Sequence, residues 1–174
     1  MNEELQKRAI EDMMKRPIPR KRVEVVKLQI VREGKILYGT RRFTSAEGAV
    51  EAVRPMLSKT DREMMLVMSV NAKLEPMAVE IVAVGGVDSC AVDVKNIFKH
   101  ALLNNASYII CFHNHPSGYT LPSREDEKFT ERLVTAGRIL NLPMIDHIIV
   151  GDDDFYSFRE NGKLEIFPES DAVA

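Results

Sequence analysis

Cys111-Phe112-His113-Asn114-His115-Pro116-Ser117-Gly118, continuing through Pro122-Ser123-Arg124-Glu125-Asp126, is the stretch around which the rest of the chain makes sense. In extended backbone residues i and i+2 point to the same side, so His113 and His115 present both imidazoles together. Pro116 has no N–H to give a ladder, which ends a strand there, and Ser117-Gly118 lets the chain turn back. Ser123 followed by Asp126 has the Ser-x-x-acid spacing of a helix start. Backbone N–H groups and the macrodipole at that helix end favour a carboxylate. Asp126 is therefore expected to cap with one oxygen and to ligate with the other. His113, His115 and Asp126 give the count of a catalytic Zn2+ site, whose fourth position is left to water. Water activated in this way needs a proton acceptor. Glu63, at the head of an earlier strand, is the candidate, and the Ser123 hydroxyl is a candidate donor to a developing oxyanion. The structural alternatives are Asp126 and Ser123 as helix caps only, and Glu63 as a strand-edge charge. His147, within Ile145-Asp146-His147-Ile148, reads as a hydrogen-bonded core histidine rather than a residue lining the site.

Tyr108–Phe112, just upstream, is a short apolar run and predicts a buried strand that delivers the chain to His113. Downstream, Phe129, Leu133, Ala136 and Leu140 recur at helical spacing, Asn141 suits a left-handed C-terminal position, and Pro143 follows. MIDHIIV (144–150) predicts a further buried strand, Gly151–Asp154 a turn, and FYSF (155–158) a last short strand. Upstream, EMMLVMSV (63–70) and MAVEIVAV (77–84) flank a turn at Asn71 and predict an antiparallel pair ended by Gly85-Gly86, with Met64, Met65 and Met68 as core filler. Between them and the central strand, Asp93 caps a helix with Val94, Ile97, Phe98, Ala101 and Leu102 on its inner face and His100 on its outer one.

Thr44-Ser45-Ala46-Glu47 reads as a capping box with Thr44 at the N-cap, opening a helix that buries Ala46, Val50, Val53 and Leu57 and ends at Ser58–Asp61. Before it, VEVVKLQIV (23–31), a turn at Glu33-Gly34-Lys35 and ILYGT (36–40) predict a β-hairpin. Residues 1–21 read as a tail with a weak amphipathic helix (Leu5, Ile10, Met13, Met14) stopped by Pro17 and Pro19. The expected organisation is an N-terminal tail over 1–21, a hairpin extension over 22–42, one α/β domain over 43–160 with a mixed sheet and helices packed on its faces, and an acidic tail over 161–174.

At 174 residues, 45% hydrophobic and 29% charged, the chain suits one globular domain of this kind. A net charge of −2 gives no global electrostatic case for nucleic acid or membrane binding. The basic cluster Lys15, Arg16, Arg20, Lys21 and Arg22 lies close to Glu3, Glu4, Glu11 and Asp12 and reads as a solvated tail rather than a nucleic-acid arm. Cys90 and Cys111 both sit in apolar surroundings and read as buried free thiols. No apolar run reaches the ~18 residues of a membrane span, and the charged N-terminus is not a secretory h-region. The expected address is the cytoplasm.

His113-x-His115-Pro116 with Pro122-Ser123-x-x-Asp126 resembles the JAMM metalloprotease signature of the JAB/MPN superfamily. More narrowly, HNHPSG followed by PSREDEKFTERLVTAGRILNLPMIDHIIVGDDDFYSFRE is similar to the RadC family, which carries a DNA repair label. The resemblance runs from about Phe43 to Glu160. It implies a cytidine-deaminase-like α/β/α fold, zinc on His113, His115 and Asp126, Glu63 as general base and acid, and Ser123 in oxyanion stabilisation. Tyr119-Thr120-Leu121 stands where the family commonly has an acidic residue and a further proline. Asp93–Asn96 replaces its usual His-Pro-Arg-Glu, and residues 1–42 show no helix-hairpin-helix pattern. The activity implied is a zinc metallohydrolase cleaving a peptide or isopeptide bond in a peptide or protein substrate. The other reading is a DNA- or protein-binding module that keeps a zinc site. A nucleobase deaminase is excluded, since H-x-E and P-C-x-x-C are absent.

Overall fold

The computed structural model describes residues 3–15, 23–36, 39, 42–85 and 92–164. In chain order the elements are α1 (Glu3–Met14), α2 (Ala46–Leu57), β1 (Met64–Val70), β2 (Pro76–Val84), α3 (Val94–Leu103), β3 (Tyr108–His113), α4 (Arg124–Ile139), β4 (Met144–Val150) and β5 (Phe155–Ser157). The strands form one mixed sheet in the order β2-β1-β3-β4-β5. β1 runs antiparallel to both β2 and β3, β3 is parallel to β4, and β5 closes the edge antiparallel to β4. The expected mixed α/β architecture is what the chain adopts.

Period-two alternation in the central strands divides the interior into two cores. Leu66, Met68, Val70, Ile110, Phe112 and Ile148 face α2, where they meet Ala46, Val50, Val53 and Leu57. Met65, Val67, Ile109, Cys111, Met144 and Ile149 face α3 and α4, meeting Ile97, Ala101 and Leu133. β3, buried on both faces, reads as a continuous apolar run for that reason, and β4 does so apart from Asp146 and His147. Burial pushes the Cys111 thiol well up, and Cys111 is a free, inert core residue. The β1–β2 turn is built by Asn71, whose side-chain oxygen accepts from the N–H of Lys73 (2.8 Å) and of Glu75 (3.0 Å).

Four sequence expectations are corrected. Residues 23–36 carry no strand; Val23, Val25, Val26, Leu28 and Val31 are exposed, and β-propensity without a ladder partner does not make a strand. The N-cap of α2 is Ser45, not Thr44, and it makes no side-chain cap bond; Glu160 supplies the acceptor from far along the chain, taking the Ala46 N–H at 3.0 Å. His100 is buried, with Nδ1 2.9 Å from a Glu80 carboxylate oxygen on β2, because that carboxylate gives an imidazole on the outer turn of α3 a partner. Leu102 and Leu140, assigned to core faces, are exposed near the ends of α3 and α4. α1 forms where a weak helix was expected, and its residues 4–14 are exposed except for half-buried Ile10. The readings of Pro17, Pro19, most of the basic cluster, Gly86, Cys90 and residues 165–174 lie outside the described residues, as does most of ILYGT.

α4 turns into β4 around Gly137 and Asn141. Asn141 takes the left-handed conformation (φ 51°), and the Leu142 N–H bonds the Gly137 carbonyl at 2.8 Å. A Cβ on Gly137 would stand 2.7 Å from the Leu142 carbonyl oxygen and 3.4 Å from the Met144 nitrogen. Ala would raise helix propensity there by about 1 kcal/mol, but the returning backbone has no room for it. Gly137→Ala should therefore destabilise the fold by about 1–3 kcal/mol, read from denaturant unfolding; a stabilised variant would contradict this packing.

Candidate metal centre

Three elements meet at one end of the sheet. β3 ends on His113, two residues beyond Cys111 and thus on the α3/α4 face. The loop after it carries His115, and the first turn of α4 carries Asp126. His113 Nε2 lies 3.0 Å from His115 Nε2 and 3.2 Å from Asp126 Oδ1, and His115 Nε2 lies 3.5 Å from Asp126 Oδ2. One donor atom from each residue falls within 4.8 Å of the others, a grouping able to hold a metal ion.

The hydrogen bonds around this triad decide which ring nitrogens are free. Thr130 Oγ1 gives its one hydrogen to the Asp126 carbonyl, one helical turn back, at 2.7 Å. It must then accept from His147 Nδ1, also at 2.7 Å. His147 is fully buried in β4. Burial holds its pKa well below the ordinary imidazole value, so the ring is neutral and, with its proton on Nδ1, its Nε2 is a bare acceptor. His113 Nδ1, 2.9 Å from that atom, is therefore the N–H donor, and the His113 Nε2 lone pair is left facing the triad. His115 reaches the same state separately: its Nδ1 lies 2.7 Å from the Tyr119 carbonyl, which can only accept. Its Nε2 is the second free lone pair.

Two nitrogen lone pairs and a carboxylate thus converge on one point. The arrangement is repulsive unless a positive species lies between them, which is the chemistry of a cation site. The protonation energetics agree. When a proton takes the cation's place on His115 Nε2, its bond to Asp126, then the Tyr119 carbonyl and the charges of Asp126 and Glu63, raise the His115 pKa against the opposing effect of burial. Burial resists ionisation of Asp126, but a proton standing in the cation's place on the imidazoles, together with the Ser123 hydroxyl, outweighs it and holds the carboxyl well below its usual range.

Asp126 divides its oxygens largely as the helix-start pattern predicts. Oδ2 accepts from the Ser123 N–H (2.7 Å) and hydroxyl (2.6 Å), completing a capping box in which the Asp126 N–H bonds Ser123 Oγ at 3.1 Å. Oδ1 stands toward His113. Glu63 precedes β1 and is half-buried. β1 pairs Met65 with His113, so the chain at Glu63 lies at the same end of the sheet as the triad, near enough for its charge to act on His115.

His147 has a larger part in the site than its sequence pattern suggests, and Thr130 is a site residue that the pattern did not single out. His147 is a hydrogen-bonded core histidine, stacked on Phe158 (5.0 Å between centroids, 9° between planes). It is also the support behind His113. The available signal was strand parity together with Thr130 at i+4 from Asp126, on the same helix face. A cleft of about 470 Å³ between α2 and the 151–154 turn has none of the triad in its lining.

Thr130→Val removes the hydroxyl while keeping the shape. It should lower Zn2+ affinity by about 10–100-fold with folding intact, measured by competition with a chromophoric chelator; unchanged affinity would contradict the supporting role of the His147–Thr130 pair.

The model for the RadC-like JAB domain matches residues 43–163. A UPF0758 protein of Caldanaerobacter subterraneus is 38% identical over 119 residues, 68% of this chain and 51% of the relative. One of Symbiobacterium thermophilum is 40% identical over 114 residues, 66% of this chain and 49% of the relative. One of Methanosarcina mazei is 32% identical over 122 residues, 70% of this chain and 53% of the relative. The chain spans about half the length of these curated relatives.

Proposed function

The chain belongs to the RadC-like JAB domain family, and from that premise we propose that it is a zinc-dependent hydrolase of a peptide or isopeptide bond, with His113, His115 and Asp126 as metal ligands. The observation that carries this reading is the convergence of two Nε2 lone pairs with the Asp126 carboxylate, each histidine held in its tautomer by a partner behind it. Imidazole and carboxylate suit zinc, and three protein ligands match its catalytic rather than its structural sites. Zinc bound there supplies Lewis acidity, polarising a carbonyl and bringing the pKa of water toward ~7.

The protein's own groups do the rest. Glu63, at the triad's end of the sheet, takes the proton from the attacking water and returns it to the leaving amine. Ser123 is the candidate donor to the carbonyl oxygen as it gains charge. Its hydroxyl hydrogen is held by Asp126 Oδ2, so serving a substrate oxygen requires the hydroxyl to turn and give up that bond. Tyr119 and Leu121, 77% and 73% exposed on the loop beside His115, offer apolar contact to a polypeptide. That loop is held in place by Thr120, whose hydroxyl bonds an Asp154 carboxylate oxygen at 3.0 Å. Among the described residues no helix is long and apolar enough to cross a membrane.

Two predictions test this reading. Purified protein should take up one molar equivalent of Zn2+, and His113→Ala or Asp126→Ala should abolish it; full stoichiometry in both variants would remove these residues as ligands. Glu63→Gln should keep the zinc and lose about 10²–10⁴-fold in turnover on a panel of peptide and isopeptide substrates. Full turnover in that variant would exclude Glu63 from proton transfer.

A further inference from the structure

Asn114 lies between the two histidines, and its side chain turns to the opposite face from theirs. It is 4% exposed and takes no part in the triad. Its amide is instead committed to the segment that carries Glu63. Oδ1 accepts from the Met64 N–H at 2.9 Å. Nδ2 donates to the Arg62 carbonyl at 3.1 Å and to Thr60 Oγ1 at 2.8 Å. Thr60 Oγ1 in turn donates to the Leu57 carbonyl at the end of α2 (2.9 Å). The Glu63 carbonyl accepts from the Gly85 N–H at 2.7 Å. The backbone groups on both sides of Glu63 are thus bonded to one side chain, and that side chain sits on the residue between the two histidine ligands.

We propose that Asn114 is the positioning residue for Glu63, fixing the backbone that carries the carboxylate relative to His113 and His115. This rests on the reading of Glu63 as the proton-transfer group. The requirement is for an amide: one oxygen must accept from Met64 while one nitrogen donates to Arg62 and Thr60. Aspartate keeps the shape and can accept from Met64, but it sets a negative oxygen against the Arg62 carbonyl. A buried group left unsatisfied there relaxes by moving, and the mobile partner is the short segment from Thr60 to Glu63 ahead of the strand.

The test uses the zinc-loaded full chain with Asn114→Ala and, in case that variant does not fold, Asn114→Asp. Amide exchange should be roughly tenfold faster at the Met64 N–H in Asn114→Ala, with protection at Ile110 and Ile148 unchanged. In either variant the zinc stoichiometry should be that of the unaltered protein. Turnover should fall through kcat by about 10²-fold with KM unchanged, and the loss should vanish in a Glu63→Gln background, where there is no carboxylate left to position. Unchanged Met64 exchange in Asn114→Ala, loss of zinc along with turnover, or a full additional loss in the Glu63→Gln background would each overturn the proposal. Where only Asn114→Asp folds, the zinc, kcat and double-variant results decide. If the unaltered protein and Glu63→Gln turn over equally, the general-base reading fails while the exchange result still reports on Asn114.

Discussion

A single run of hydrogen bonds orders this end of the molecule: His113 Nδ1 to His147 Nε2, His147 Nδ1 to Thr130 Oγ1, and Thr130 Oγ1 to the Asp126 carbonyl. It ties β3, β4 and α4 together and starts and ends on residues that also supply donor atoms to the triad. Every polar atom in it is in or next to a core that excludes water, so each bond left unmade would cost on the order of 1–3 kcal/mol. The run has a direction, because a hydroxyl has one hydrogen and a neutral imidazole one N–H. That direction leaves His113 Nε2 without a hydrogen. The same bonds that hold the core therefore determine which atom is offered to a cation.

Much of the remaining architecture serves that alignment. Parallel pairing of β3 with β4 sets Cys111 opposite His147, and His113 stands one residue pair further along the same face. The β3–α4–β4 crossover brings the N-terminus of α4 back to the strand ends. Ser123 then anchors Asp126 by its second oxygen. On the far side of β3, Asn114 binds the chain at Glu63. Residues 113, 114 and 115 thus face alternately, two toward the triad and one toward the segment in front of β1. An ion bound by the native triad and not by the unfolded chain stabilises the fold by mass action. It also relieves the repulsion among donors that the protein holds close together.

The sequence made the local elements legible where periodicity and capping agree. The paired strands β1 and β2, the buried runs of β3 and β4, the Asp93 cap and the Ser123–Asp126 capping box all appear where the pattern places them. The three residues of the triad could be picked out because the His-x-His spacing and the helix-start spacing are short-range signals. What could not be read was set by partners distant in sequence. Ala46 finds its acceptor in Glu160, 114 residues away. His100 is buried because Glu80 of β2 stands beside it. His147 could be seen as a core histidine, but its contact with His113 depends on strand parity across a parallel pair. Residues 23–36 show the converse: a β-rich composition that, with no neighbouring strand among the described residues, forms none.

The hydrogen-bond network offers His113 and His115 to a cation through Nε2, with Nδ1 protonated in both. Long-range ¹H–¹⁵N spectra of the histidine rings during a Zn2+ titration read this directly. Both residues are expected to coordinate through Nε2 and keep the Nδ1 proton, while His147 stays neutral with its proton on Nδ1. Coordination through Nδ1, or imidazole signals of His113 and His115 that do not move at one equivalent of zinc, would contradict it.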